Sequence, residues 1–128
     1  MTCREAMERQ FDFCLGHERL LDAIEIMSAT GDDRVPVVTE KTTMQFEGII
    51  TARAALLRLG LTDRRPSEVM CREVAAPALA PLRPEQDVGE AGAAFRQHAV
   101  SWLPVVAEGR LIGVLRASRL APAASGVK

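Results

Sequence analysis

The side chains that most often carry nucleophilic, acid–base or metal chemistry are thinly spread along this chain. It holds three cysteines, Cys3, Cys14 and Cys71, and two histidines, His17 and His98. Neither histidine has a cysteine or carboxylate at metal-ligand spacing, and no cysteine lies in a motif for nucleophilic catalysis. The pattern therefore predicts neither a catalytic centre nor a metal site. The odd number of cysteines predicts reduced thiols in a cytoplasmic protein.

Composition narrows the classes of partner. The chain has 128 residues, a net charge of −1, 48% apolar residues and 26% charged residues. This is an ordinary globular balance, without the positive field that draws a protein to nucleic acid or to anionic lipid. No stretch approaches the ~20 apolar residues that span a bilayer, and the N-terminus lacks the apolar run of a signal peptide. We therefore expect no nucleic-acid partner and no membrane association.

The first half of the chain alternates helical and strand-like patterns. Apolar or small residues follow one helical stripe from Leu20 to Thr30, and Gly31 is a typical residue to end that helix. The segment 34–38 reads as a short buried strand with a proline near its start. After a polar loop, residues 46–50 read as a second strand of a hairpin. Residues 51–59 then read as a helix that ends at Gly60.

The same order of elements returns in the second half. A second helical stripe lies 68 residues after the first. Asp87 and Glu90, at the start of this predicted helix, resemble a capping box. The Pro-containing strand also repeats at 68 residues and the Gly-containing strand at 65, because the second hairpin turns tightly around residues 108–110. A short helical turn ending in methionine precedes each stripe, at 3–7 and at 66–70. The predicted bounds are a first repeat at 2–60, a linker at 61–65, a second repeat at 66–121 and a tail at 122–128.

These segments resemble a known family. The marks in the first half are Val35-Pro36-Val37-Val38 and Gly48-Ile49-Ile50-Thr51, and those in the second are Leu103-Pro104-Val105-Val106 and Gly113-Val114-Leu115-Arg116. In each half they are similar to a cystathionine-β-synthase-type (CBS) domain. Each motif is short, but both occur twice and in the same order. The likeness covers about residues 2–121.

The resemblance implies a fold and a role. The expected fold is α/β (α+β), with two β-α-β-β-α repeats related by a pseudo-twofold axis in one module, often called a Bateman module. Such pairs generally form disc-like homodimers. They bind adenosine-containing ligands in clefts between the repeats and regulate enzymes, channels or transporters. The implied ligand is AMP, ATP or a related adenosyl compound, no cofactor is required, and the regulated protein is unknown.

Physical chemistry supports this kind of site where each Gly-containing strand leads into a helix. Free N–H groups and a partial positive charge at the start of a helix suit a phosphate, and a hydroxyl adds a donor. An acidic side chain three residues later accepts from ribose hydroxyls. The residues predicted to line the clefts are Val35, Pro36, Gly48, Thr51, Leu103, Pro104, Gly113, Arg116 and Arg119.

The sequence departs from the family's nucleotide motif in both halves. In the first half Ala54 stands at the acidic position, and in the second Arg116 replaces the hydroxyl and Arg119 the acid. Loss of a charge-assisted hydrogen bond costs about 1.5–3 kcal/mol, or roughly ten- to a hundredfold in affinity.

Several residues keep two interpretations. Arg116 and Arg119 either grip a phosphate-rich ligand in the manner of an arginine fork, or are surface arginines that are solvated or paired with carboxylates that plug the cleft. Thr51 is either a phosphate ligand or a plain helix N-cap. Trp102 either packs in the core or stacks on a base or a partner.

Two functions follow from these alternatives. The first is a non-catalytic regulatory or sensor module that binds a nucleotide or another phosphate-bearing ligand. The second is a degenerate CBS pair that serves as a ligand-independent dimerisation or protein-interaction module. No nucleophile–base pair and no metal-ligand set supports an enzyme.

Overall fold

A computed structural model describes residues 1–120, so the predicted tail at 122–128 lies outside the described residues. The chain divides into two compact units. The central unit is Asp12–Ala78, and the terminal unit joins Met1–Phe11 to the described residues from Leu79 onward. Each unit has a hydrophobic core of its own.

The compact units cut across the repeats that the sequence predicts. Residues 1–11 precede the first helical stripe but pack in the terminal unit, whereas residues 66–78 precede the second stripe but pack in the central unit. The predicted bounds describe repetition along the chain and stay a prediction. In space, each unit is completed by a segment that comes from the start of the other repeat.

The helices and strands follow the predicted order. In chain order they are α1 (Cys3–Ala6), β1 (Cys14–Leu15), α2 (Leu20–Thr30), β2 (Arg34–Val38), β3 (Phe46–Thr51), α3 (Ala52–Gly60), α4 (Cys71–Val74), α5 (Val88–His98), β4 (Trp102–Ala107) and β5 (Arg110–Arg116). Short 3-10 turns lie at Pro66–Glu68 and Ala117–Arg119. The mixed α/β fold is therefore the one that the sequence predicts.

Helix α2 shows why the local prediction succeeds. Leu20, Ala23 and Met27 lie on one face and are buried. Gly31 ends the helix with a left-handed φ of 79°, and its N–H donates to the Met27 carbonyl at 2.9 Å. Glycine adopts this conformation without steric cost, so the predicted end of the helix is confirmed.

The central unit is built on a three-stranded sheet in the order β1-β2-β3. Strand β1 runs parallel to β2, and β2 runs antiparallel to β3. The register pairs Val37 with Gly48 and Arg34 with Thr51. The start of β2 and the end of β3 therefore lie side by side, at the point where the chain enters α3.

The terminal unit repeats this plan with a two-stranded sheet of β4 and β5. Leu82 forms a parallel bridge to Val105, just as Cys14 pairs in parallel with Val37 in the central unit. The Asp87 side chain caps α5 by accepting from the Gly89 N–H at 2.8 Å. A capping box would place this bond on the Glu90 N–H, so the predicted cap is present with a different donor.

Within residues 1–120, the segment that follows β5 differs from the segment that follows β3. In the central unit β3 leads into α3, which has nine residues. In the terminal unit β5 leads only into the three-residue 3-10 turn Ala117–Arg119 within the described residues. The full second helix implied by the resemblance is therefore not seen in the described part of the chain.

Helices α1 and α4 begin with the same three residues, Cys-Arg-Glu, at Cys3 and Cys71. Glu5 accepts from the Thr2 N–H at 2.8 Å, and Glu73 accepts from the Met70 N–H at 2.9 Å, so both helices are capped alike. The predicted match between the turns at 3–7 and 66–70 is therefore wrong by five residues. A 3-10 turn occupies the latter stretch, and α4 follows it.

Length and hydropathy of the helices bear on membrane insertion. No helix in the described residues 1–120 is both long enough and apolar enough to cross a bilayer.

Candidate functional site

Gly48 lies where β3 meets a second segment of backbone. Ile49 and Ala76 exchange two backbone hydrogen bonds, of 2.8 Å and 3.0 Å. A Cβ atom on Gly48 would lie 2.5 Å from the Ala76 carbonyl oxygen, and the φ of Gly48 is +147°. Both observations require glycine, because a side chain there would collide with backbone that has no room to move. The predicted motif glycine thus has a structural role inside the central unit.

Thr51 ends β3 and caps α3. Its hydroxyl oxygen accepts from the Ala54 N–H at 2.9 Å, and the Ala52 N–H donates to the Asp33 carbonyl at 2.8 Å. Two of the orphan N–H groups of the first turn are thus satisfied. The N-cap interpretation of Thr51 is confirmed. Its second predicted role, as a phosphate ligand, stays a prediction. The cap is compatible with that role, because the hydroxyl hydrogen can still donate to a phosphate.

Arg34 is the cation beside this turn, since it is paired with Thr51 in the β2–β3 register. The side chain is half-buried, and burial lowers the pKa of Arg34 while Asp33 and Asp32 oppose that shift. Arg34 is not among the site residues that the sequence predicts. It is the first residue of the Pro-containing strand, and only the hairpin register places it opposite Thr51.

Ala54 occupies the position of the family's acidic residue. It is half-buried and packs against the central core. A methyl group accepts no hydrogen bond, so nothing at this position replaces the ribose acceptor.

Gly113 occupies the equivalent place in the terminal unit. Val114 and Glu8 exchange backbone hydrogen bonds of 2.8 Å and 3.1 Å. A Cβ atom on Gly113 would lie 2.5 Å from the Met7 sulfur and 3.0 Å from the Glu8 carbonyl. Both motif glycines therefore allow a neighbouring segment to approach the strand closely.

Arg116 ends β5, where Thr51 ends β3. Its Nε lies 3.4 Å from Oε1 of Glu8, and both side chains are about one-third exposed. This pairing matches the predicted alternative in which an arginine is held by a carboxylate. Arg119 lies on the exposed 3-10 turn beyond it. The phosphate-gripping role of the two arginines stays a prediction.

Trp102 is the residue opposite Arg116 in the β4–β5 register. It is only 2% exposed. The packing interpretation of Trp102 is therefore confirmed over stacking on a partner surface.

The four apolar site residues form the starts of the two Pro-containing strands. Val35, Pro36, Leu103 and Pro104 are all buried. Val35 and Leu103 belong to the hydrophobic cores. Because all four side chains are buried, any contact with a ligand involves their backbone groups or follows a local rearrangement.

The cysteines are buried free thiols. Cys14 and Cys71 lie in the same core, where a hydrogen bond with Cys71 and burial raise the pKa of Cys14. Protonated, enclosed thiols are poor nucleophiles. Within residues 1–120, no group of three histidine, cysteine or carboxylate side chains is placed to hold a metal ion.

A surface cavity of about 400 Å³ lies in the terminal unit, beside the turn that joins β4 to β5 and away from Arg116. Arg4, Arg83 and Glu108 are among its lining residues. It contains none of the site residues that the sequence predicts, so cavity volume alone does not identify the predicted sites.

Comparison with known proteins identifies the family to which the chain belongs. The sequence matches the CBS domain family model twice, over residues 3–60 and 67–126. No curated protein shows a significant match to the whole sequence.

Several solved structures have the same fold. One is a Vibrio cholerae protein assigned to acetoin utilization (AcuB), 24% identical, with a TM-score of 0.82 over 99% of this chain and 92% of that one. Another is CBSX2 in complex with AMP, 18% identical, with a TM-score of 0.77 over 98% and 97% of the two chains. A third is the CBS domains of a Streptococcus pneumoniae transcriptional regulator, 17% identical, with a TM-score of 0.78 over 95% and 98%. At these identities the likeness shows the fold alone.

Proposed function

Because the chain belongs to the CBS domain family and carries two copies of that domain, we propose that it is a non-catalytic regulatory module. It binds a small phosphate-bearing ligand, of which AMP and ATP are the first candidates. Binding favours one conformation of the module and thereby alters a regulated protein, since a ligand shifts an equilibrium by its differential affinity for two states.

The observation that carries this proposal is the turn from β3 into α3 in the central unit. Thr51 supplies a hydroxyl at the start of the helix, and Arg34 is its partner across the hairpin. A helix N-terminus with a neighbouring guanidinium is a common combination for phosphate recognition. Ala52 and Arg53, the first two residues of α3, are exposed.

The adenosine part of the proposal rests on the family. CBSX2, whose fold this chain shares, is known in complex with AMP. The missing acid at Ala54 removes a ribose contact, so we expect an affinity roughly ten- to a hundredfold below that of a site with the acid.

A ligand screen tests the proposal. AMP, ATP, S-adenosylmethionine and NADH are compared by thermal shift and then by calorimetry on the full chain. At least one should bind, and Arg34→Met should weaken it about tenfold, whereas the exposed Arg96→Met on α5 should not. The absence of binding by all four at millimolar concentration contradicts the proposal.

A second candidate function is ligand-independent dimerisation. It is favoured by exposed leucines on and directly after α3: Leu56 is 71% exposed, Leu57 53% and Leu61 85%. Contiguous exposed apolar residues on one helix are typical of a protein-binding surface, here one that would pack against a second copy. A monomer by analytical ultracentrifugation, unchanged by Leu56→Glu, counts against this candidate.

A further inference from the structure

The two Gly-strand motifs meet different residues at one equivalent position. Ala76 pairs with Ile49, which follows Gly48, and Glu8 pairs with Val114, which follows Gly113. The backbone hydrogen bonds are the same in both units. Ala76 and Glu8 therefore occupy the same place relative to the strand-to-helix turn, although one is a methyl group and the other a carboxylate.

The residue two positions further along each strand also differs. In the central unit it is Thr51, and in the terminal unit it is Arg116. The Glu8 carboxylate lies 3.4 Å from the Arg116 guanidinium. The Ala76 side chain, in the equivalent position near Thr51, is uncharged. An anion thus already lies beside Arg116 in the terminal unit. The carboxylates near the central turn are those of Asp32 and Asp33, beside Arg34.

The geometry points to Glu8 as an internal gate that closes the second motif to anionic ligands. Its carboxylate takes the place of a ligand phosphate on Arg116, so the second motif is obstructed by one of the chain's own side chains. This inference rests on the proposed function, since it assumes that the strand-to-helix turn is where a phosphate binds.

The physical reason is competition for one guanidinium. A phosphate near Arg116 has to displace the carboxylate and is repelled by its charge. The pair is partly exposed, and such pairs are weak, so Glu8 lowers affinity without making binding impossible. Removing the negative charge should raise the affinity of the terminal unit for ATP about two- to fivefold.

The experiment is an ATP titration of the full chain, observed residue by residue through backbone amide NMR signals. The two reporters are the amides of residues 48–54 and of residues 113–119. The variants are Glu8→Gln, which keeps size but removes charge, and Glu8→Ser, which also removes the side chain's reach. Glu108→Gln is the matched control. It also removes one negative charge, but from the turn between β4 and β5, at the opposite end of the hairpin from Arg116.

We expect the 113–119 amides to be silent in the wild type and in Glu108→Gln at ATP concentrations that shift the 48–54 amides. In Glu8→Gln and Glu8→Ser the 113–119 amides should shift. The double variant Glu8→Gln/Arg116→Met should silence them again, because the cation is gone.

The outcomes separate this inference from the proposed function. If residues 48–54 respond but residues 113–119 stay silent in both Glu8 variants, the gate is wrong and the proposed function stands. If only residues 113–119 respond, and only in the Glu8 variants, the gate stands and the proposed central site is wrong. Silence in both regions in every variant overturns both. An equal response of residues 113–119 in the wild type also overturns the gate.

Discussion

At the scale of single residues, the two motif glycines are under different constraints. The Cβ of an alanine at position 48 would meet backbone, whereas at position 113 its nearest neighbour would be the flexible Met7 side chain. Gly48 also has a positive φ, which L-residues rarely adopt. The same glycine in the same motif therefore differs in how strictly it is required.

We predict that Gly48→Ala lowers the free energy of unfolding by about 2–3 kcal/mol, and that Gly113→Ala lowers it less. Gly60→Ala is the control, since nothing lies within 4 Å of a Cβ there, and it should leave stability unchanged or raise it by up to about 1 kcal/mol. Urea unfolding of the three variants measures this order. Equal losses for Gly48→Ala and Gly60→Ala would show that the close approach of Ala76 has no energetic weight.

Glu73 gives a prediction about pH. Arg64 at 2.8 Å and the Met70 N–H lower the pKa of Glu73 from its ordinary 4.5 to about 2. A carboxyl group whose pKa is lower in the folded state stabilises the protein above its unfolded pKa, and this contribution is lost as pH falls toward the folded value. The stability advantage of the wild type over Glu73→Gln should therefore decrease between about pH 5 and about pH 2.

Urea titrations of wild type and Glu73→Gln across this pH range provide the measurement. In an Arg64→Met background, the advantage should be smaller at neutral pH and depend less on pH, because the main cause of the lowered pKa is absent. A constant difference between the two proteins at all pH values is inconsistent with the observed ion pair.

Several residue roles could be predicted from the sequence and others could not. Thr51 was predictable as an N-cap because capping depends on residues within one turn of the helix. Glu8 was not, because its position beside Arg116 depends on pairing between segments more than a hundred residues apart. Arg34 was missed for the same reason on a smaller scale, since only the hairpin register places it opposite Thr51.

At the scale of elements, α3 depends on the cap at its start. Only Ala55 is fully buried among its residues, so packing contributes less to this helix than to a core helix. Thr51→Val removes the hydroxyl that accepts from the Ala54 N–H and keeps the shape of the side chain.

We predict that Thr51→Val destabilises the protein by about 1 kcal/mol, and that Thr51→Ser, which keeps the oxygen, costs much less. Chemical denaturation measures the stability, and ATP binding to both variants is measured alongside. If Thr51→Ser retains both stability and binding while Thr51→Val loses both, one hydroxyl serves the helix and the ligand. No loss of stability in Thr51→Val would mean that the cap contributes nothing.

The elements themselves were largely predictable, and the failures have physical causes. The stripe of α2 and the β2–β3 hairpin are set by residues near one another in the chain, and both were predicted closely. The short helices α1 and α4 have too few residues for a periodic signal. The repeated Cys-Arg-Glu was nevertheless visible in the sequence at the same 68-residue spacing as the two stripes. After β5 the described residues show only the 3-10 turn Ala117–Arg119, and the rest of the expected second helix falls outside them.

At the scale of the whole molecule, repetition along the chain and compactness in space divide the protein differently. The first eleven residues contribute Cys3, Ala6 and Met7 to the core of the terminal unit, and Glu8 extends its sheet through the bridge to Val114. The start of the chain is thus an integral part of a unit whose other residues begin at Leu79.

Deletion of residues 1–11 should therefore destabilise the terminal unit selectively. We expect hydrogen exchange, measured by mass spectrometry, to lose protection in β4 and β5 while β2 and β3 retain most of theirs. The basis is that each unit has its own core, and the deleted side chains belong to only one of them. Equal loss of protection in both hairpins would contradict the division into these two units.

The proposed function requires that the strand-to-helix turn at Thr51 binds a phosphate-bearing nucleotide. The most direct measurement is the crystal structure of the full chain grown with millimolar ATP. We expect density for phosphate beside the Thr51 hydroxyl and the Arg34 guanidinium, with the Glu8–Arg116 pair still intact. A well-ordered turn with no ligand density, or nucleotide bound elsewhere in the molecule, would contradict it.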